Sequence, residues 1–111
     1  VSAEDSAPDA APDPAPLVVT DQAAAQRYEV HRNGELAGFL DYVVKRGRLA
    51  LVHTETLPAH AGSGVAGAVA RFALEDARAR GLRVIPICPF VRSYLERHPE
   101  YADLVVGSPP R

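Results

Sequence analysis

A single cysteine, Cys88, in a chain of 111 residues excludes an internal disulfide framework and any all-cysteine metal cluster. Methionine and tryptophan are both absent, and valine stands at position 1, so a trimmed start or a non-standard initiation codon is expected. No apolar run approaches the ~18–20 residues that span a bilayer, and no basic-then-apolar leader opens the chain. The expectation is a small cytoplasmic protein with no membrane partner. A basic excess is lacking too. Twelve Lys and Arg face fourteen Asp and Glu, for a net charge of −2. The first sixteen residues hold Glu4, Asp5, Asp9 and Asp13 and no basic group, so the remainder carries twelve basic against ten acidic groups. A balance near +2 is too small for a nucleic-acid surface, yet it suits a small polyanionic ligand.

What is present falls into three stretches. Residues 1–17 form an acidic Ala/Pro-rich tail that cannot bury enough apolar surface to offset its ordering entropy, so disorder is expected there. Residues 18–106 are the expected folded domain, and 107–111 a flexible end. Within the domain, Arg27 to Arg32 alternates and meets Asn33-Gly34, a strong hairpin signal. A strand over Glu35–Val44, a turn at Lys45–Arg48 and a strand over Leu49–Leu57 complete an antiparallel meander. From Gly64 to Arg80 the period becomes helical, with Val65, Val69 and Phe72 beside an alanine stripe and Gly81 at the C-terminal cap. Leu82–Cys88 reads as a buried strand ended by Pro89, and Pro86 within it predicts an edge, a bulge or a splay. A short helix over Val91–Arg97 and a last strand over Tyr101–Val106 follow. The fold class is therefore α/β (α+β). An antiparallel meander precedes a strand–helix–strand crossover and a short C-terminal helix on a mixed sheet.

The chemistry concentrates where the third strand meets the helix, in Pro58-Ala59-His60-Ala61-Gly62-Ser63-Gly64-Val65-Ala66-Gly67. Glycines let a backbone approach a ligand closely, and the first-turn amides of a helix have no internal partners, which makes an anion site. A plain turn with Ser63 as helix cap is the competing reading. No Gly-Lys-Ser/Thr follows, so this is not a Walker loop. Gly62, Gly64 and Gly67 stand in GxGxxG register, but the preceding meander argues against a dinucleotide fold.

Ala61-Gly62-Ser63-Gly64-Val65-Ala66, after a strand and a proline and opening a helix, resembles the Arg/Gln-x-x-Gly-x-Gly/Ala pyrophosphate motif of the GNAT superfamily of N-acetyltransferases. The resemblance is closer to the small stand-alone branch of that superfamily and covers residues 26–105. It includes His53-Thr54-Glu55, Pro86-Ile87-Cys88-Pro89-Phe90, and Tyr94 with His98-Pro99-Glu100-Tyr101. One departure stands out, since Ala61 occupies the position usually held by Arg or Gln. His60, one residue earlier, is a possible stand-in donor.

The resemblance implies that acetyl-CoA lies where the third strand and the last core strand splay apart. The expected acyl-CoA contacts are Thr56, Leu57, Ala61, Gly62, Ser63, Gly64, Val65, Ala66, Gly67 and Phe90. His53 is the candidate general base, Cys88 the candidate nucleophile or acyl-contacting group, and Tyr94 the candidate general acid to the departing thiolate. Each has a bland counterpart: a satisfied sheet histidine, an inert buried thiol and a packed aromatic. Glu55 is a second candidate base. His98 and Tyr101 read as structural, and no metal spacing is evident. Family members also carry two helices after the first strand as a wall for the acceptor, whereas only Asn33-Gly34 stands here. The acceptor amine or protein partner is thus left open, as is monomer or homodimer. The function expected is acetyl transfer to an amine, with a CoA-binding sensor or adaptor of little turnover as the alternative.

Overall fold

Two reversals built on left-handed backbone organise the sheet. Asn33 and Gly34 have φ of 53° and 75°, and Arg46 and Gly47 have 55° and 75°. Paired positive φ values match the right-handed twist of the flanking strands and close two-residue hairpins. The first joins β2 (Arg27–Arg32) to β3 (Glu35–Lys45), and the second joins β3 to β4 (Arg48–Thr56). The structure is a computed structural model, and it describes residues 15–107.

A strand that composition did not reveal, β1 (Val18–Gln22), pairs antiparallel with β2 from Val18 opposite His31 to Gln22 opposite Arg27. Its chain turns through Ala23–Ala25 and through Gln26, at φ 54°. Its side chains are mostly solvated, so apolar alternation is faint; Val19 packs on the core and Asp21 accepts from the Tyr42 hydroxyl. After β4 come α1 (Val65–Arg80), β5 (Arg83–Pro86) and α2 (Pro89–Arg97). Spatial order follows chain order, β1-β2-β3-β4-β5, antiparallel until the parallel β4–β5 pair. This is the mixed sheet expected.

The core lies between one sheet face and α1. Val69, Ala73, Leu74 and Ala77 of α1 and Tyr28, Leu40, Leu49, Leu51 and Val84 of the sheet are fully buried. Gly81, at φ 68°, ends α1, its amide reaching back to the last-turn carbonyls of Ala77 and Arg78. No helix among the described residues is long and apolar enough to cross a membrane.

One expectation meets a different outcome. The last segment is a 3-10 turn, Pro99–Leu104, and not a strand; only Val105 makes a single parallel bridge to Val84. The tighter helix sets Tyr101 and Leu104, three residues apart, on one inward edge, where both are buried. Most of the tail at residues 1–17, and the end beyond Gly107, lie outside the described residues. Within the tail, Ala15 O accepts from Arg32 Nε at 2.9 Å, and Leu17 packs against the core.

A bulge in β4 sets up the site. Asp41 pairs with His53 and Tyr42 with Leu51, so Val52 is an extra residue on the β4 side. An inserted residue shifts the alternation of faces by one. Leu49 and Leu51 face α1; beyond the bulge, Thr54 opposite buried Leu40 and Thr56 opposite Gly38 take that face. His53 and Glu55 take the uncovered one, opposite Asp41 and Phe39.

Candidate functional site

β4 and β5 run side by side only from Arg48 opposite Arg83 to Leu51 opposite Pro86. At that point the ladder closes on itself, with the amides of Ile87 and Cys88 both donating to Leu51 O, at 3.0 and 2.9 Å. Pro86 and Pro89 have no N–H to extend it. Residues 52–56 of β4 run on without a β5 partner, which opens a slot at the sheet edge. The splay expected from Pro86 is present.

The glycine loop stands at the same end. Gly64 is the N-cap of α1, in left-handed conformation at φ 78°, and no side chain caps the helix. Ser63 is therefore not the cap that a plain turn would need. Its amide closes back on His60 O at 3.3 Å. The first intrahelical bond comes from Ala68 to Gly64 O, so the amides of Val65, Ala66 and Gly67 have no backbone acceptor among the described residues. Gly62 is left-handed too, at φ 79°, and a side chain at Gly62 or Gly64 would meet only open space. Both glycines serve the backbone conformation, and the space above them is free.

A cleft of about 410 Å³ occupies that space, lined by Thr56, Ala61, Gly62, Gly64, Val65, Ala66, Gly67, Phe90 and Arg97. Eight of these nine, Phe90 among them, are expected contacts; Arg97 is new. No motif flags it, and only its place in the last turn of α2 brings it here. Ser63 does not line the cleft, its amide being turned back on His60. Leu57 is withdrawn as well: its amide donates to Ala37 O at 2.8 Å and its carbonyl accepts from His60 N at 2.9 Å. Both of its backbone groups are spent inside the fold. His60 is 92% buried by its 8% exposure, with Nε2 directed toward Glu35 Oε1 at 3.6 Å, so it does not replace the missing motif side chain.

Cys88 sits at the other end of the slot as N-cap of α2, 3% exposed. Its Sγ lies 3.2 Å from Thr54 Oγ1. Burial alone would push the thiol up. The Thr54 hydroxyl and the backbone N–H groups of Val91, Phe90 and Thr54 outweigh it and hold the thiol below its ordinary value. A thiol at a helix N-terminus is the usual setting for this shift.

His53 does not join Cys88. The Val52 bulge turns His53 to the opposite face, where its half-exposed ring lies 3.4 Å from Glu55 Oε2 and faces Phe39. Thr54 takes the place beside the sulfur instead. Tyr94 stands on α2 beside the first turn of α1. It lines a second cleft with Arg71, His98, Glu100 and Tyr101, its ring stacked on His98 at 4.0 Å. Burial raises its phenol, and its edge lies where a Gly67 side chain would touch it. Tyr101 is structural as expected, its hydroxyl donating to Glu75 Oε2 at 2.5 Å.

Residues 27–104 match the family model described as GCN5-related N-acetyl-transferase. No curated protein sequence matches the chain. Among solved structures, a GCN5-like protein from Staphylococcus aureus is similar over 82% of this chain and 89% of its own, at 20% identity and a TM-score of 0.59. A GNAT-family protein from Desulfovibrio desulfuricans is similar over 64% of this chain and 52% of its own, at 21% identity and a TM-score of 0.50. At such identities the likeness speaks for the fold.

Proposed function

The chain belongs to the GCN5-related N-acetyltransferase family, and from that membership we propose that it binds acetyl-CoA along the slot between β4 and β5 and passes the acetyl group to an amine. One observation carries the reading: the strands part after Leu51 at the same end where the α1 amides lack acceptors. A diphosphate needs such donors, and a thin thiol-ended arm needs an unpaired strand edge. The glycine-loop cleft offers the first, and residues 52–56 of β4 offer the second.

As co-substrate, acetyl-CoA supplies an activated thioester carbonyl. The chain's own residues do the rest. Val65, Ala66 and Gly67 present amides to phosphate oxygens, and the positive end of α1 adds to their pull. Thr56 offers the open edge of β4 to the arm, and Phe90 covers it. Cys88 provides a sulfur held toward its thiolate form at the inner end of the slot. His53, beside Glu55 on the uncovered face, takes the proton from an amine arriving from that side.

A second reading, an acyl-CoA-binding protein with little turnover, is favoured by the separation of His53 from Cys88 and by the small acceptor wall. Between β1 and β2 stands only the short turn Ala23–Ala25. The experiments separate these. Acetyl-CoA is expected to raise the melting temperature by mass action, and no rise at millimolar ligand would remove both readings. Turnover on a panel of amines, lost in His53→Ala, identifies the enzyme; binding without turnover identifies the binder. Intact-mass analysis shows whether one acetyl group stays on the wild type and is absent from Cys88→Ala, which assigns the sulfur as nucleophile.

A further inference from the structure

Of the side chains that line the glycine-loop cleft, Arg97 alone is charged. We propose that the Arg97 guanidinium holds the diphosphate of the acyl-CoA against the open amides of α1, taking over the work that Ala61 leaves undone. The inference rests on the acyl-CoA reading above and assigns one residue within it.

Phe90 and Arg97 are seven residues apart on α2, two turns of one face. That face runs about 10 Å along the cleft, from the aromatic ring beside the Cys88 cap to the guanidinium near the glycine loop. The direction suits a ligand with an apolar, thiol-bearing end and an anionic end. Arg97 Nη1 is steadied by Ser93 Oγ at 2.9 Å, and the guanidinium pairs with no carboxylate among the described residues. Opposite it, Ala61 extends no donor and His60 is turned away toward Glu35. The cleft therefore combines neutral amides, the positive end of α1 and a single side-chain cation, a set that fits a doubly charged phosphate pair. A last-turn arginine also complements the α2 dipole. That structural role would act on the free protein and would not depend on which ligand is added.

The experiment is calorimetric titration of wild type, Arg97→Gln and Arg97→Lys with three ligands: acetyl-CoA, its 3′-dephospho form and acetyl-pantetheine, which lacks the diphosphate. Folding of each variant is checked by circular dichroism and thermal melting without ligand. The expected result is a loss of about tenfold or more for Arg97→Gln with both diphosphate ligands, a smaller loss for Arg97→Lys, and unchanged affinity for acetyl-pantetheine. Ala61→Arg added to Arg97→Gln is expected to restore most of the lost affinity. Equal binding of acetyl-CoA by Arg97→Gln and wild type overturns the assignment. So does a loss that extends to acetyl-pantetheine, or one confined to the ligand bearing the 3′-phosphate. If wild type binds none of the three, the acyl-CoA reading itself falls, and the assignment with it.

Discussion

Cys88 gathers opposing effects that a single substitution can separate. Its thiol is nearly inaccessible, which by itself disfavours the thiolate, yet the Thr54 hydroxyl and three backbone N–H groups reverse the balance. Thr54→Val removes the hydroxyl and keeps the shape, so the thiol is expected to rise toward or above its ordinary value. His53→Ala, on the other sheet face, is expected to leave it where it is. Because the chain has one cysteine, a pH titration of thiolate ultraviolet absorbance, with the Cys88→Ala signal subtracted to remove the tyrosines, reports on this group; equal midpoints for Thr54→Val and wild type would dismiss the Thr54 contact. The contrast also shows where residue-level reading of the sequence stops. Cys88 and its neighbours Pro86 and Phe90 are legible as a motif. The pairing of His53 with Cys88 is not, because parity along a strand counts residues, and nothing in Leu51-Val52-His53 marks Val52 as the one that the ladder skips.

Elements position the site through a close approach. A side chain at Gly38 of β3 would lie 2.6 Å from both Glu55 O and Val65 Cγ1. The bare glycine lets the first residue of α1 settle onto the sheet, which fixes where its open amides point. Gly38→Ala is expected to destabilise the protein by about 1–3 kcal/mol, the usual cost of overpacking, and to weaken acetyl-CoA binding. Val65→Ala in the same chain should recover only part of the stability, since the Glu55 carbonyl remains in the way. Urea melts of the two single variants and the double variant measure this as a coupling energy, and strict additivity would refute the contact. At this scale the sequence is most readable where glycine or periodicity punctuates it: both hairpins, α1 and its Gly81 cap stand as expected. It is least readable where an element leans on its neighbours. β1 has little apolar alternation and is held by pairing with β2, and the Tyr101–Val106 segment coils because Tyr101 finds Glu75.

Across the whole molecule, three phenols tie the sheet and the C-terminal turn to carboxylates. Tyr28 of β2 donates to Asp76 of α1 at 2.8 Å, Tyr42 of β3 to Asp21 of β1 at 2.5 Å, and Tyr101 to Glu75 of α1. Arg80 completes the first pair of links, meeting Asp76 at 3.1 Å and Asp21 at 3.9 Å. For Tyr42, burial and then the bond to Asp21 push the phenol up to about 12; for Tyr101, the bond to Glu75 and then burial do the same. Tyr28 is held higher still, by burial first and Asp76 second. A phenol in the unfolded chain ionises near 10. Each folded value lies above it, so the stabilisation is fully present below about pH 10 and is lost as pH climbs through about 12. The expected outcome is an unfolding free energy that falls steeply across that interval. The double variant Tyr42→Phe, Tyr101→Phe is expected to be less stable at neutral pH and to show a shallower alkaline decline. Chemical melts taken at several pH values from neutral upward decide the matter: curves that fall in parallel would mean that these phenols do not couple the sheet, the helix and the C-terminal turn to pH.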